Sequence, residues 1–377
     1  MSLEKKVEIL IVGAGSIGRV YGYHFWKGGA NIHYYVRDHN KQNLINYPLR
    51  MHKLSSSVRW FNKSETKEFS EYDVITDNEI KNNNATNLPS QLDYVIFTIP
   101  THRISEGEWL QSLVSFLNNK YQNKVYYSSP VPEITGMQRY INVGIDKNHL
   151  ISGQIACDCY NAPIDNQSFE ARGIEIAKKD DEENNPNKVI VYYQSGQELF
   201  GELTTEAKEA SNKLAIILNQ GGLNAKSIGR DTEYGLRFPI MTPMFMSYTI
   251  YKWNFAELAK HFSIMSLVTG SFREIATVVK KKTNNQCGFP IKAMSYIPTA
   301  HLTTFLFSPF FFVLHIYAKY VSSFDIEALG NANYNGKLRE QTNFIINSIC
   351  SDATKNNVKL SNFTKLVEKY KLSQKNN

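Results

Sequence analysis

At 377 residues, with 42% hydrophobic and 12% aromatic side chains, the chain exceeds one ordinary domain and is apolar enough for packed cores, so two domains are expected. Its net charge of +7 comes from lysines spread along the chain rather than from an arginine-rich arm, zinc-ligand spacing or an RNA-binding signature, which argues against a nucleic-acid partner. Cys157, Cys159, Cys287 and Cys350 lack metal or disulfide spacing and are expected to be buried thiols with no metal site, Cys157 and Cys159 sharing one face of a strand.

The N-terminal Met-Ser-Leu-Glu-Lys-Lys runs straight into a strand without the apolar region and small-residue cleavage site of a secretory signal, which predicts a cytoplasmic protein. Residues 7–12 (VEILIV) form the nearly continuous apolar run of a parallel strand covered on both faces. A helical pattern follows, then strands at 32–36 and 94–99, and strands alternating with helices imply an α/β sheet. Between the second and third strands, residues 58–87 are polar and Asn-rich and predict a small hairpin with an exposed excursion carrying no chemistry. Residues 178–188 (KKDDEENNPNK) predict a solvated loop, and strands resume at 189–193 and 199–203.

From Thr204 the period changes from 2 to 3.6, with Ala207, Ala210, Leu214, Ile217 and Leu218 on one face and Gly221-Gly222 as the stop. This places the domain boundary near residue 203, giving 1–203 as an α/β, Rossmann-type N-terminal domain and 204–377 as an all-α C-terminal domain for substrate or dimerisation. Residues 302–317 (LTTFLFSPFFFVLHIY) are too short for a span of about 20 apolar residues and predict a buried core helix rather than a transmembrane segment, with a membrane-surface contact left open. A homodimer is compatible with the sequence but not specified by it.

The chemistry concentrates in Gly13-Ala14-Gly15-Ser16-Ile17-Gly18, between the first strand and its helix. Gly13 permits the tight turn, Gly15 lets the backbone approach a pyrophosphate, and Gly18 allows close packing of helix on strand. The helix N-terminus then offers N–H groups and partial positive charge to the phosphates. Cofactor choice is read at the end of the second strand, where Arg37 could fork onto a 2′-phosphate with Lys41 one turn later. This predicts NADP(H), with NAD(H) as the alternative, because Asp38 could hydrogen-bond a ribose or pair with Arg37.

The chain resembles the ketopantoate reductases (2-dehydropantoate 2-reductases). The likeness runs through the glycine turn, Arg37, Asp93-Tyr94-Val95-Ile96-Phe97, Gly153 after His149-Leu150-Ile151, Gly201-Glu202-Leu203, and Leu223-Asn224-Ala225-Lys226-Ser227. It implies a Rossmann domain followed by a helical one, and hydride transfer from a nicotinamide to a small 2-keto acid or related carbonyl, with a lysine protonating the nascent alkoxide. It also implies that Ile99 and Ser129 lie at the cofactor, Ser129 standing where the family has an asparagine and Pro100 where it commonly has a lysine. Ser323 looks like the family's serine station and Glu340 its functional glutamate, within Gly336-Lys337-Leu338-Arg339-Glu340.

The family's catalytic lysine has no counterpart in Arg237 to Phe245, and Arg237 is too basic to donate a proton at neutral pH. Lys252, further on, is the remaining candidate, against its reading as a surface lysine. Glu340 has an equally ordinary reading as a carboxylate favoured by a helix N-terminus. The substituted stations leave a second function open, a dinucleotide-binding relative that has lost catalysis and acts as a sensor or interaction protein, with residues 305–317 and Lys280 to Lys282 as its surface. A third reading, an opine-dehydrogenase-like enzyme, would take His102 or His301 as proton donor.

Overall fold

The computed structural model describes residues 5–63, 65–104, 107–130, 137–162, 186–230, 237–284, 287, 294–296, 309–334 and 338–375. It divides into two compact units: Met1–Ser57 with Phe61–Glu133 and Met137–Tyr234, and Val58–Trp60 with Ile134–Gly136 and Gly235–Asn377.

The first unit begins β1 (Glu8–Val12), α1 (Ser16–Lys27), β2 (Asn31–Val36) and α2 (Asp38–Asn46). It continues through β3 (Leu49–Lys53), β4 (Glu65–Phe69), β5 (Asp73–Thr76), α3 (Asp77–Lys81), β6 (Tyr94–Phe97), α4 (Thr101–Ile104), α5 (Trp109–Tyr121), β7 (Tyr126–Ser129) and α6 (Gln138–Asn142). It closes with β8 (Leu150–Gln154), β9 (Cys157–Ala162), β10 (Val189–Gln194), β11 (Glu198–Glu202), α7 (Lys208–Gln220) and β12 (Ala225–Arg230).

The main sheet has the order β12-β11-β8-β7-β6-β1-β2-β5. Its pairs are parallel except β11 with β8. Ile9, Leu10 and Ile11 are fully buried, as the apolar run of a strand covered on both faces requires. A second sheet, β4-β3-β10-β9, covers the outer side of α1. Cys157 and Cys159 of β9 both meet the main core, whereas Cys350, expected to be buried, is exposed.

The structure differs from two expectations. The helix after Thr204 is present with its predicted face buried, but that face packs on β11, β12 and α1, within the same core as Ile9 and Val20. The division therefore falls after β12 and not at residue 203, because period 3.6 reveals a buried face without saying which partner buries it. Residues 58–87, expected to form only a hairpin and an excursion, contribute β5, the edge strand of the main sheet, and α3 behind it. Residues 163–185, with most of the charged loop, lie outside the described residues.

The second unit contains α8 (Arg237–Ile250), α9 (Phe255–Leu258), α10 (Phe262–Lys282), α11 (Pro309–Val321), α12 (Ile326–Ala332), α13 (Arg339–Lys355) and α14 (Ser361–Lys375). Helix α10 packs against α8, α13 and α14. Glu274 on α10 accepts from the backbone N–H groups of Asn362 and Phe363 and so caps the first turn of α14. By length and composition alone α10 is the one described helix that could cross a membrane, and 56% of its apolar window is buried within this unit. The expected core helix at 302–317 is described only from Pro309. There Phe311 and Ala318 are buried while Phe310, Phe312, Val313, Ile316 and Tyr320 are exposed, so the apolar run is wider than the face it buries.

Inside the first unit, Tyr21 of α1 donates to Glu198 of β11 at 2.5 Å, and the Ala156 N–H donates to the same oxygen at 3.0 Å. Burial outweighs these bonds and raises the Glu198 pKa from 4.5 to about 7. The folded protein thus holds this proton more tightly than the unfolded chain, so the stabilisation is complete below the ordinary carboxylate pKa and is lost as pH rises through about 7. We predict that urea unfolding loses up to about 3 kcal/mol from this group between pH 4.5 and 8, and that Glu198→Gln removes that part of the slope. Parallel slopes for the two proteins would show that Glu198 titrates normally.

Candidate functional site

The order of the main sheet makes β1 and β6 neighbours while the chain runs outward from β1 to β2 in the opposite direction. In open α/β sheets such a reversal leaves a crevice at the carboxyl ends of the strands. The glycine turn sits there, at the end of β1.

Gly13 has φ +99, and a Cβ on it would come within 2.5 Å of Ile99 Cγ2. A Cβ on Gly18 would lie 2.0 Å from the Gly13 carbonyl oxygen and 2.7 Å from Thr98 Oγ1, so α1 crosses the turn at a separation only glycine permits. Gly15 has open space around it. It is the N-cap of α1, makes no side-chain cap and is followed by no acidic residue in the first turn, which leaves the helix end to an anion.

The turn is braced by residues that motif reading did not single out. Thr98 Oγ1 reaches the Val12 and Gly13 carbonyl oxygens at 3.0 and 2.9 Å. Arg19 Nε donates to the Ala14 carbonyl at 2.8 Å, and Arg19 also reaches the Asn187 side chain. Asn187 in turn donates to the Asn43 and Tyr47 carbonyls. The spacing of a polar Thr98 after an apolar strand and of Arg19 in the first turn was the available signal.

A cavity of about 490 Å³ opens beside the turn, within the size range of small-molecule sites. Of the expected cofactor residues, Gly13, Ala14, Arg37 and Ile99 line it, together with Pro100, Asp77, Arg103 and Trp109. Ser16 instead turns to Asn161 of β9, donating at 3.2 Å, and Ile17 is half-buried behind the turn. Ser129 is buried at the end of β7, where Tyr140 donates to it at 3.1 Å; it does not line the cavity. His102 is likewise buried on α4 and off the cavity wall, and His301 lies outside the described residues.

The charges at the end of β2 are arranged differently from the sequence expectation. Lys41 forms an ion pair with Glu79 at 2.7 Å, and Glu79 also completes a capping box with Thr76. Asp38, expected to bond a ribose or pair with Arg37, hydrogen-bonds Thr76 and Asp77. Burial and the facing Asp38 carboxyl raise the Asp77 pKa. For Asp38 burial acts upward, but its bonds to Thr76 and Asp77 outweigh it and the pKa falls. Asp77, from a segment expected to carry no chemistry, thus stands on the cavity wall with Arg37.

On the helical unit, Glu340 is exposed in the first turn of α13. Ser323 is buried just before α12. Lys252 is exposed in a left-handed turn, φ 51, between α8 and α9, and its side chain makes no hydrogen bond or ion pair among the described residues. Arg237 opens α8, whereas Gly336 and Lys337 lie outside the described residues. Lys280, Lys281 and Lys282 are engaged by Tyr296, the Asn356 carbonyl and Asp352. A small cavity of about 10 Å³ lies between α8 and α13, and the Thr242 hydroxyl on its wall is buried without a hydrogen-bond partner among the described residues.

No protein-family model matches the sequence, and no curated protein sequence matches it. The fold is nevertheless shared with solved structures over the full chain. D-mandelate dehydrogenase, in a ternary structure with NADH and anilino(oxo)acetate, is 15% identical with a TM-score of 0.63, covering 98% of this chain and 99% of that one. The 2-dehydropantoate 2-reductase from Geobacter metallireducens is 12% identical with a TM-score of 0.60, covering 97% and 100%. That from Methylococcus capsulatus is 13% identical with a TM-score of 0.60, covering 98% and 97%. The chain therefore has the two-part fold of the ketopantoate reductases, a Rossmann-type unit followed by a helical one.

The two glycines separate folding from binding. Gly18→Ala is expected to destabilise the protein by on the order of 2–4 kcal/mol through overlap with the Gly13 carbonyl. Gly15→Ala, with φ −77 and open space, is expected to melt within about 1 kcal/mol of wild type while weakening dinucleotide binding about tenfold or more. Melting curves and cofactor titration of both variants check this, and unaltered binding by Gly15→Ala would remove the turn from the site.

Proposed function

We propose that this protein is an oxidoreductase of the ketopantoate-reductase type that uses NADP(H), with NAD(H) as the weaker alternative, to reduce a small 2-keto acid or related carbonyl compound. The carrying observation is the cradle at Gly13, Gly15 and Gly18 opening onto a cavity with Arg37 on its wall. Gly15 leaves the room that a pyrophosphate needs, Gly13 and Gly18 let α1 cross the turn closely, and the uncapped end of α1 supplies N–H donors. Arg37 suits the 2′-phosphate, since a guanidinium can bind it in bidentate fashion. The bound nicotinamide would supply a hydride to the carbonyl carbon, and a proton must reach the carbonyl oxygen to give the alcohol.

On the helical unit we assign Glu340 and Ser323 to substrate hydrogen bonds and give Lys252 no role, because it sits on a solvent-facing turn. The neighbour bound to anilino(oxo)acetate supports a ligand with an oxo group beside a carboxylate. A second reading, a protein that binds dinucleotide without turning it over, is favoured by α8, which contains neither lysine nor asparagine.

The test follows absorbance at 340 nm with NADPH and with NADH across a panel of 2-keto acids. Turnover preferring NADPH is expected, with Glu340→Ala lowering kcat/KM at least about tenfold and cofactor affinity unchanged. Tight NADPH binding without turnover on any member of the panel would establish the second reading.

A further inference from the structure

The cavity beside the glycine turn carries a second guanidinium. Arg37 leaves the end of β2 and Arg103 leaves α4, just after β6, and these two strands flank β1 in the sheet. Both side chains line the same cavity.

The backbone that carries Arg103 is held in place. Its N–H donates to the Pro100 carbonyl at 2.9 Å, and its own carbonyl accepts from Trp109 Nε1 at 3.3 Å. Trp109 lies on the cavity wall as well and stacks on Tyr35, with ring centroids 6.3 Å apart and planes at 24°. Arg103 is thereby presented from a short helix tied to an aromatic pair.

The charge balance explains why a second cation is needed. A phosphate monoester carries about −1.5 to −2 at neutral pH. Lys41 is neutralised by Glu79, and Asp77 on the wall is a carboxyl, so Arg37 alone would leave a 2′-phosphate undercompensated. Arg103 places a second guanidinium on the same wall.

We propose that Arg103 is a specificity-determining residue which, with Arg37, binds the 2′-phosphate of the cofactor and so selects NADP(H) over NAD(H). This rests on the dinucleotide site proposed above.

The test titrates 2′,5′-ADP and 5′-AMP, by calorimetry, into the full chain and into Arg103→Ala and Arg103→Lys. Arg103→Ala is expected to weaken 2′,5′-ADP about tenfold or more and 5′-AMP less than about threefold, with Arg103→Lys recovering part of the loss. Retained 5′-AMP binding also shows that the variant is folded. Unchanged 2′,5′-ADP affinity, or equal weakening of both probes, overturns the role of Arg103 while leaving the dinucleotide site standing. A wild-type protein that binds neither probe overturns the site itself.

Discussion

The close approach of α1 to the end of β1 is the contact on which the rest of the first unit depends. Gly18 lies over the Gly13 carbonyl with no room for a Cβ, and Thr98 ties Val12 and Gly13 to the end of β6. Arg19 then holds the Ala14 carbonyl from within the first turn of the helix. A turn constrained from three sides keeps its N–H groups oriented before any ligand arrives, so little ordering cost remains for binding. The second sheet contributes to the same end, since Ser16 bonds to Asn161 of β9 and Arg19 reaches Asn187 just before β10.

Around that rigid turn, electrostatics decides what can be bound. The nominal charges near β2 are Arg37, Asp38 and Lys41, followed in the next segment by Asp77 and Glu79. Lys41 and Glu79 neutralise each other, while Asp38 and Asp77 share a hydrogen bond that moves their pKa values apart. Arg37 and Asp77 line the cavity, with Arg103 from α4.

The helical unit is built on aromatic packing. Trp253 fits against Gly330, where a Cβ would come within 1.9 Å of the indole ring, and it stacks on Phe245. Holding Trp253 there places Lys252 and Trp253 in consecutive left-handed conformations, which points the Lys252 turn outward. The tight core of this unit thus accounts for why the nearest lysine after α8 is on the surface. The exposed apolar residues of α11 flank Phe311 at Phe310 and Phe312 and continue at Val313, Ile316 and Tyr320.

The sequence by itself determined the strand-turn-helix at Gly13 to Gly18, the alternation of strands and helices, and the helix after Thr204, because these follow from local period and from backbone requirements that only glycine meets. It also carried the likeness to the ketopantoate reductases that the shared fold bears out. Only the tertiary structure decided that α7 belongs to the first unit, that Ser129 is bonded to Tyr140 inside it, and that Asp77, Arg103 and Trp109 meet Arg37 across one cavity. The cavity residues are brought together by parallel pairing of β5, β2, β1 and β6, which places the ends of β5 and β6 beside those of β2 and β1. A local pattern records which face of an element is apolar or which residue can turn; it holds no record of which distant charge will stand opposite, and that is why the cradle was legible and the walls around it were not.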